Sequence, residues 1–302
     1  MSHLLLTGGT GFIGRRLCAL AHSRGLQVTV LSRQAAANVK RLCGSTVNAI
    51  RSASDIASLP RVDHVINLAG EPILAGRWTA KRRQKLRDSR IEFTRQLINT
   101  LVNLPQRPAT FVSGSAIGYY GNAGDTLCTE SAPAGSGFAA TLCQDWERAA
   151  QPVTALKTRL CIVRIGVVLG ADGGSLEKML LPFRLGLGGR IGNGQQWFSW
   201  VALDDLCELL LFLLEHPECK GVFNGTAPEP VTNSDFTNVL ARQLKRPAVM
   251  PMPAPVLKAL LGEASSLLLD SQRVVPEAAL QAGFRFQYAR LDQALQAAIT
   301  KQ

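Results

Sequence analysis

The chain has no CxxC pair, no histidines at metal-ligand spacing, no long apolar run and, from residue 113 to 147, not one lysine or arginine. Each absence excludes something. Seven cysteines (Cys18, Cys43, Cys128, Cys143, Cys161, Cys207, Cys219) lie scattered and odd in number, which argues against a disulfide framework and against structural zinc. The four histidines, His3, His22, His64 and His216, form no ligand pattern, so no metal is expected. Nothing approaches the ~18 consecutive apolar residues of a bilayer span. HLLL at the start passes at once into a glycine-rich turn rather than a longer apolar signal region. The expected setting is cytoplasmic, with no membrane partner.

What is there suits a large buried core. Of 302 residues 46% are hydrophobic and only 18% charged, enough for one core with a smaller lobe attached. A net charge of +11 raises nucleic acid as a partner. The densest basic run, TAKRRQKLRDSRIEFTR at 79–95, spreads its charges around a helix and brings no aromatic stacking platform. It reads as a solvated helix, and no nucleic acid is expected, although the charge favours anionic small ligands. Oligomeric state is left open.

Short runs rich in Val, Ile and Leu alternate with segments of helical period, the pattern of a parallel sheet covered by helices. Strands are predicted at 3–7, 27–32, 47–50, 64–69, 110–113, 160–165 and 222–224, and helices at 13–23, 79–101, 138–150 and 203–216. The fold class is α/β: a doubly wound parallel sheet of Rossmann type over 1–246, with a small C-terminal α+β lobe over 250–297. The four prolines of PAVMPMPAPV read as a linker between them, and an aromatic strand is expected around FRFQY.

HLLLTGGTGFIGRRL puts Gly8, Gly11 and Gly14 between the first strand and the first helix. Gly8 permits the tight turn, Gly11 a close approach to a pyrophosphate, and Gly14 close packing of helix on strand. The helix N-terminus then offers free N–H groups to phosphate oxygens. The second strand, QVTVLSR, ends in Ser32 and Arg33 where an acidic residue would bind the ribose hydroxyls of NAD. A guanidinium there suits a 2′-phosphate, so the expected cofactor is NADP. NLAG, at 67–70, ends the fourth strand at the carboxyl edge, where ligands of open sheets sit.

GGTGFIG, NLAG, SGSAIGYYG and RIGVVLG together resemble the extended short-chain dehydrogenase/reductase superfamily. AGEPI, RWT, SRIEFT, the Trp-Glu of QDWE, LLPFRLGLGGRIGNGQQWFSWV, LLGEASSLLLDSQRVVP and AGFRFQY narrow the resemblance to its atypical "epimerase family" branch, family 39U. The likeness covers nearly the whole chain, including that family's C-terminal domain of unassigned function. It implies Gly8, Gly11, Phe12 and Ile13 at the cofactor phosphates, and Ser32 and Arg33 at the 2′-phosphate. It also implies Leu68 and Ala69 at the adenosine side, Val168 near the nicotinamide, and Arg90, where ordinary members carry asparagine, at the phosphates or a substrate anion.

The resemblance also exposes a gap. Ordinary members use a tyrosine as general acid or base, helped by a lysine four residues on. Here those positions hold Phe138 and Leu142, which exchange no proton. Ser115 matches the catalytic serine, and Tyr119 and Tyr120 follow it, so these three are the catalytic candidates. An unperturbed phenol titrates near ~10, so it needs a cation from elsewhere: Arg90, Arg164, Lys178 or Arg184. Residues 170–202 form the expected substrate-side insertion. Within its glycine-rich lip Phe183, Trp197 and Trp200 offer flat surfaces, and Arg184 and Arg190 suit an anionic small-molecule substrate. Asp204 and Asp205 are expected to cap the next helix. The implied function is an NADP(H)-binding oxidoreductase or nucleotide-sugar-epimerase-like protein of unknown substrate. The missing Tyr-x-x-x-Lys pair keeps a second reading open, a non-catalytic NADP(H) sensor or regulator, for example in cell division.

Overall fold

The computed structural model describes residues 2–300. Seven strands form one parallel sheet: β1 (His3–Thr7), β2 (Gln27–Leu31), β3 (Asn48–Ile50), β4 (His64–Asn67), β5 (Thr110–Ala116), β6 (Arg159–Ile165) and β7 (Gly221–Gly225). Their order across the sheet is β7-β6-β5-β4-β1-β2-β3, and every neighbouring pair runs parallel. The order reverses between β1 and β4, which opens a crevice at their carboxyl ends. All seven predicted strands are present.

The central strand β1 is buried on both faces, as a parallel sheet between two helical layers requires. Leu4 and Leu6 face α1 (Phe12–Ser23) and α7 (Leu203–Glu215) through Leu17, Ala21, Leu206 and Leu210. Leu5 points the other way, toward Leu97, Ile98 and Leu101 of α4 (Phe93–Val102). Burying each such side chain contributes about 1.5–3 kcal/mol relative to exposure.

The basic segment is not one helix. It is α3 (Ala80–Arg87), then a π-helical turn at Asp88–Glu92, then α4. The π turn carries an extra residue per turn and re-aims what it holds; here that includes Arg90. Helices at Ala36–Cys43, Gly174–Arg184 and Asn233–Leu244 also form beyond those predicted.

The proline-rich stretch is no free linker. The Met250 amide donates to Gly188 O at 3.0 Å and Met252 to Arg190 O at 2.9 Å, while Gly192 N donates to Met252 O at 2.9 Å. It is a strap laid against the glycine-rich lip, where a Cβ on Gly189 would stand 2.1 Å from the Met250 carbonyl oxygen. Beyond it, Arg273–Val274 pairs in parallel with Leu127–Cys128, and the last helix, Leu291–Thr300, packs its Leu291, Ala294 and Leu295 with Phe236 and Leu240. The aromatic segment around Phe284 to Tyr288 is irregular rather than a strand. Its turn is held by Asp205, whose carboxylate accepts the amides of Gln287 (2.8 Å) and Tyr288 (2.9 Å).

The expected capping role of Asp204 and Asp205 is therefore corrected, since neither side chain caps α7. Asp204 instead pairs with Arg16 at 2.6 Å. Asp205→Ala should lower stability by about 1–2 kcal/mol in denaturant titration, because it leaves two part-buried amides without their acceptor. Limited proteolysis should then cut near residue 287; a variant as stable and protease-resistant as the parent would rule out this anchor.

Candidate functional site

The glycine turn is built as its spacing requires. Gly8 has φ +72°, and a Cβ there would meet the Leu68 carbonyl at 2.7 Å. A Cβ on Gly14 would stand 2.4 Å from Gly8 O, so the helix lies directly on the turn. α1 starts at Phe12 with no acidic residue in its first turn, leaving the Phe12 and Ile13 amides as its leading donors. The Phe12 ring itself is seated in a slot walled by Gly170, Gly173 and Gly174, where any Cβ would come within 2.9 Å of it.

A buried polar chain fixes the ends of β1 and β4. Thr7 Oγ1 donates to Asn67 Oδ1 at 2.6 Å, Asn67 Nδ2 to Thr94 Oγ1 at 2.8 Å, and Trp146 Nε1 to the same Thr94 oxygen at 3.2 Å. Ala69 N reaches back to Thr7 Oγ1 at 3.2 Å, so Leu68 and Ala69 are held beside Gly8. Val168 lies on a short strand, Val167–Leu169, paired with Trp200–Ala202.

At the tip of β2, Arg33 is 90% exposed and reaches Glu71 at 3.3 Å. Arg82 (3.5 Å) and Lys85 (3.2 Å) converge on the same carboxylate. Burial alone would raise the Glu71 pKa, but hydrogen bonds to Lys85 and Arg33 outweigh it and hold the carboxyl below its ordinary value. Arg82 Nε is buried with no hydrogen-bond partner. Ser32 Oγ accepts the Gln34 amide at 3.3 Å. Arg90 turns inward from the π turn, donating to Glu71 O at 2.9 Å with its guanidinium 5.3 Å from the Trp146 ring centroid. Burial lowers its pKa.

The carboxyl end of β5 carries the catalytic candidates, and Arg164 is the cation among them. It is 3% exposed and forms a two-pronged pair with Glu147, Nε to Oε1 at 2.9 Å and Nη2 to Oε2 at 3.0 Å. Ser115 Oγ donates to that same carboxylate at 2.7 Å. The Tyr120 hydroxyl donates to Asn224 Oδ1 (2.7 Å) and accepts from Arg164 Nη1 (3.0 Å). Burial pushes the Tyr120 phenol up to about 12, against the pull of Arg164. Desolvation works against the Arg164 cation too, yet its bonds to Glu147 and Tyr120 hold its pKa above the ordinary value. Tyr119 is different. It is half-buried, its ring centroid lies 3.3 Å from the Arg164 guanidinium carbon, and its hydroxyl has no partner among the described residues.

The other cations named from sequence do not meet this cluster: Arg90 serves the loop after β4, and Lys178 and Arg184 lie on the helix Gly174–Arg184. Phe138 and Leu142 stand on α5 (Phe138–Ala150) within an apolar cluster with Trp78, Leu86 and Ala264. The lip is also corrected. Phe183 and Trp200 are core residues, 6% and 0% exposed, and not ligand platforms. Trp197 stays half-buried, its Nε1 on Asp125 at 2.9 Å and Arg273 over its ring. Glu147, Arg82 and Lys85 were not singled out in sequence. The available signal for Glu147 was an arginine inside the otherwise apolar strand LCIVRI, which demands a buried acceptor.

A sheet that reverses direction at a glycine turn, with a cationic β2 tip, defines a Rossmann-type dinucleotide-binding protein. The chain belongs to the NAD dependent epimerase/dehydratase family, whose model matches residues 4–224; residues 252–298 match a domain of unknown function, DUF1731. It is similar to the chloroplastic epimerase family protein SDR39U1 homolog of Arabidopsis thaliana, 38% identical over 97% of this chain and 85% of that protein. The epimerase family protein ML0860 of Mycobacterium leprae is also 38% identical, over 98% of this chain and 95% of its own. Among solved structures, the human epimerase family protein SDR39U1 (isoform 2) with NADPH superposes with a TM-score of 0.89 at 36% identity, covering 99% of this chain and all of that one. A UDP-glucuronic acid 4-epimerase of Bacillus cereus shares the fold at 18% identity with a TM-score of 0.78.

Arg164→Met should cost about 3–5 kcal/mol in chemical denaturation, because it leaves the Glu147 carboxylate buried and unpaired. Removing both charges with Arg164→Met and Glu147→Leu should recover most of that loss; a single variant with parental stability would show the pair to be dispensable.

Proposed function

We propose that the protein binds NADP(H) across the β1–β4 crevice and uses it in an oxidoreductase or epimerase-like reaction on a small molecule. The observation that carries this is the cationic group at the tip of β2. Arg33, Arg82 and Lys85 all share Glu71, an excess of positive charge that a 2′-phosphate would balance. The buried, unpartnered Nε of Arg82 adds a donor in need of an acceptor. Gly8, Gly11 and the Phe12 and Ile13 amides would hold the pyrophosphate, Leu68 and Ala69 the adenosine, and Val168 the nicotinamide end. NADP(H) bound there supplies or accepts a hydride. The NADPH complex of the human relative supports this choice of cofactor.

In this reading Tyr119 handles the substrate proton. Ser115 and Tyr120 already spend their hydroxyl protons on Glu147 and Asn224, so they position rather than react. Arg164, packed flat against the Tyr119 ring, is the cation in the place of the absent lysine. The apolar pair Phe138 and Leu142 favours the second reading, a cofactor sensor without turnover. We also place the protein in the cytoplasm, supported by seven thiols that are all free and buried; among the described residues, no helix is long and apolar enough to cross a membrane. Nucleic acid is not a proposed partner.

Arg33→Ala should weaken NADPH by about tenfold in calorimetry and leave NADH nearly unchanged, a modest ratio because the exposed side chain is screened by solvent. Equal losses for both nucleotides would remove the 2′-phosphate assignment. In a screen of carbonyl compounds and sugar nucleotides, NADPH consumption abolished by Tyr119→Phe supports catalysis; binding without consumption by any compound supports sensing.

A further inference from the structure

Next to the turn that carries Tyr119 and Tyr120, a cavity of about 680 Å³ opens between Asn122, the glycine-rich lip and the C-terminal segment. Its walls are tied together before any ligand arrives. Gln196 Nε2 donates both to Ile191 O (3.1 Å) in the lip and to Leu268 O (3.0 Å) in the C-terminal segment, and Asn122 Oδ1 accepts the Ser271 amide at 3.0 Å.

What these walls leave over is a set of donors, all neutral but for Lys258, and one carboxylate acceptor. Asn122 and Asn193 spend their side-chain oxygens on backbone amides, the second on Gln195 N at 3.0 Å, while their amide nitrogens have no partner among the described residues. The Ser266 hydroxyl likewise has none, and the Lys258 ammonium and the Asp270 carboxylate meet through their charges without a hydrogen bond to any described residue. The charge balance is the deciding feature. Lys258 is the one cation of the lining and acts on Asp270, while the other lining carboxylate, Glu263, pairs with Arg83 outside the cavity. Arg184 and Arg190, which suggested an anionic substrate from sequence, do not line it. A nucleoside diphosphate needs clustered cations or bidentate arginines, and this lining offers only one ammonium, set against Asp270.

We infer that the cavity at Asn122 takes an uncharged polyhydroxylated compound, a free sugar or polyol, rather than a nucleotide-linked sugar. Asp270 accepts from a pair of its hydroxyls, and Asn122, Asn193 and Lys258 donate to its oxygens. This inference rests on the NADP(H) reading for the position of the nicotinamide, but the ligand class comes from the cavity alone.

The test is saturation-transfer NMR on the full chain loaded with NADPH, with glucose, myo-inositol and UDP-glucose as probes. Transfer to glucose or myo-inositol that weakens about fivefold or more in Asp270→Asn and in Lys258→Gln, while NADPH affinity holds, supports the inference. It is overturned if UDP-glucose displaces glucose at about tenfold lower concentration, or if neither polyol shows transfer in protein that binds NADPH. A chain that binds no NADPH in calorimetry brings down the cofactor reading instead, and the same titration on the cofactor-free chain still decides the ligand class of the cavity.

Discussion

A guanidinium cannot sit at 3% exposure without an anion, and the pairing of Arg164 with Glu147 sets the arrangement of everything at the carboxyl end of β5. The pair joins a sheet strand to α5 across the position where Ser115 and Tyr120 also meet it. Both hydroxyls are drawn into the network as hydrogen-bond partners of charged or amide groups. Such a buried pair gains little net stability over an apolar replacement, since desolvation offsets attraction. What it does provide is direction. With both prongs of the guanidinium committed to Glu147 and a third nitrogen on Tyr120, its flat face is left for the Tyr119 ring.

The cofactor side depends on a separate constraint, the closeness of three backbone segments. Gly8, Gly14 and the Leu68–Ala69 peptide leave no space for side chains, and the Thr7–Asn67–Thr94 chain of hydrogen bonds holds β1 against β4 at that spacing. Trp146 joins the same Thr94 oxygen from α5. The helix that supplies Glu147 to the Arg164 cluster therefore also braces the glycine-turn end. A shift in α5 would be felt at both.

The fold was legible because a parallel sheet covered on both faces writes itself as apolar runs, and all seven strands could be read from them. The helix Ala36–Cys43 escaped notice because only Val39 and Cys43 of its eight residues are buried, too few for a helical period to stand out. The π turn was invisible for another reason: it depends on one extra residue in a run whose charges already surround the helix, and only the inward Arg90 reveals it. The glycine turn and the β2 tip were read residue by residue from spacing and charge. The Arg164 cluster was reached only as one of several possible cations, because its partner sits in a different helix and no local pattern joins them. Aromatic residues in the lip misled, since Phe183 and Trp200 look the same in sequence whether they face a ligand or a core.

The absent tyrosine and lysine are not simply a gap waiting to be refilled. Leu142 is 1% exposed, and with Phe138 it packs among Trp78, Trp146 and Ala264, with Leu261 and Leu267 of the C-terminal segment against the same cluster. A lysine at position 142 would bury an ammonium in apolar surroundings, at a cost of several kcal/mol per ion, and would push the C-terminal segment away. That segment forms one wall of the cavity beside Asn122. Apolar packing at 138 and 142 and a docked C-terminal segment are therefore one coupled solution: the positions that hold the dyad in ordinary members are here an interface, and the polar groups near β5 gather instead on the Arg164 side.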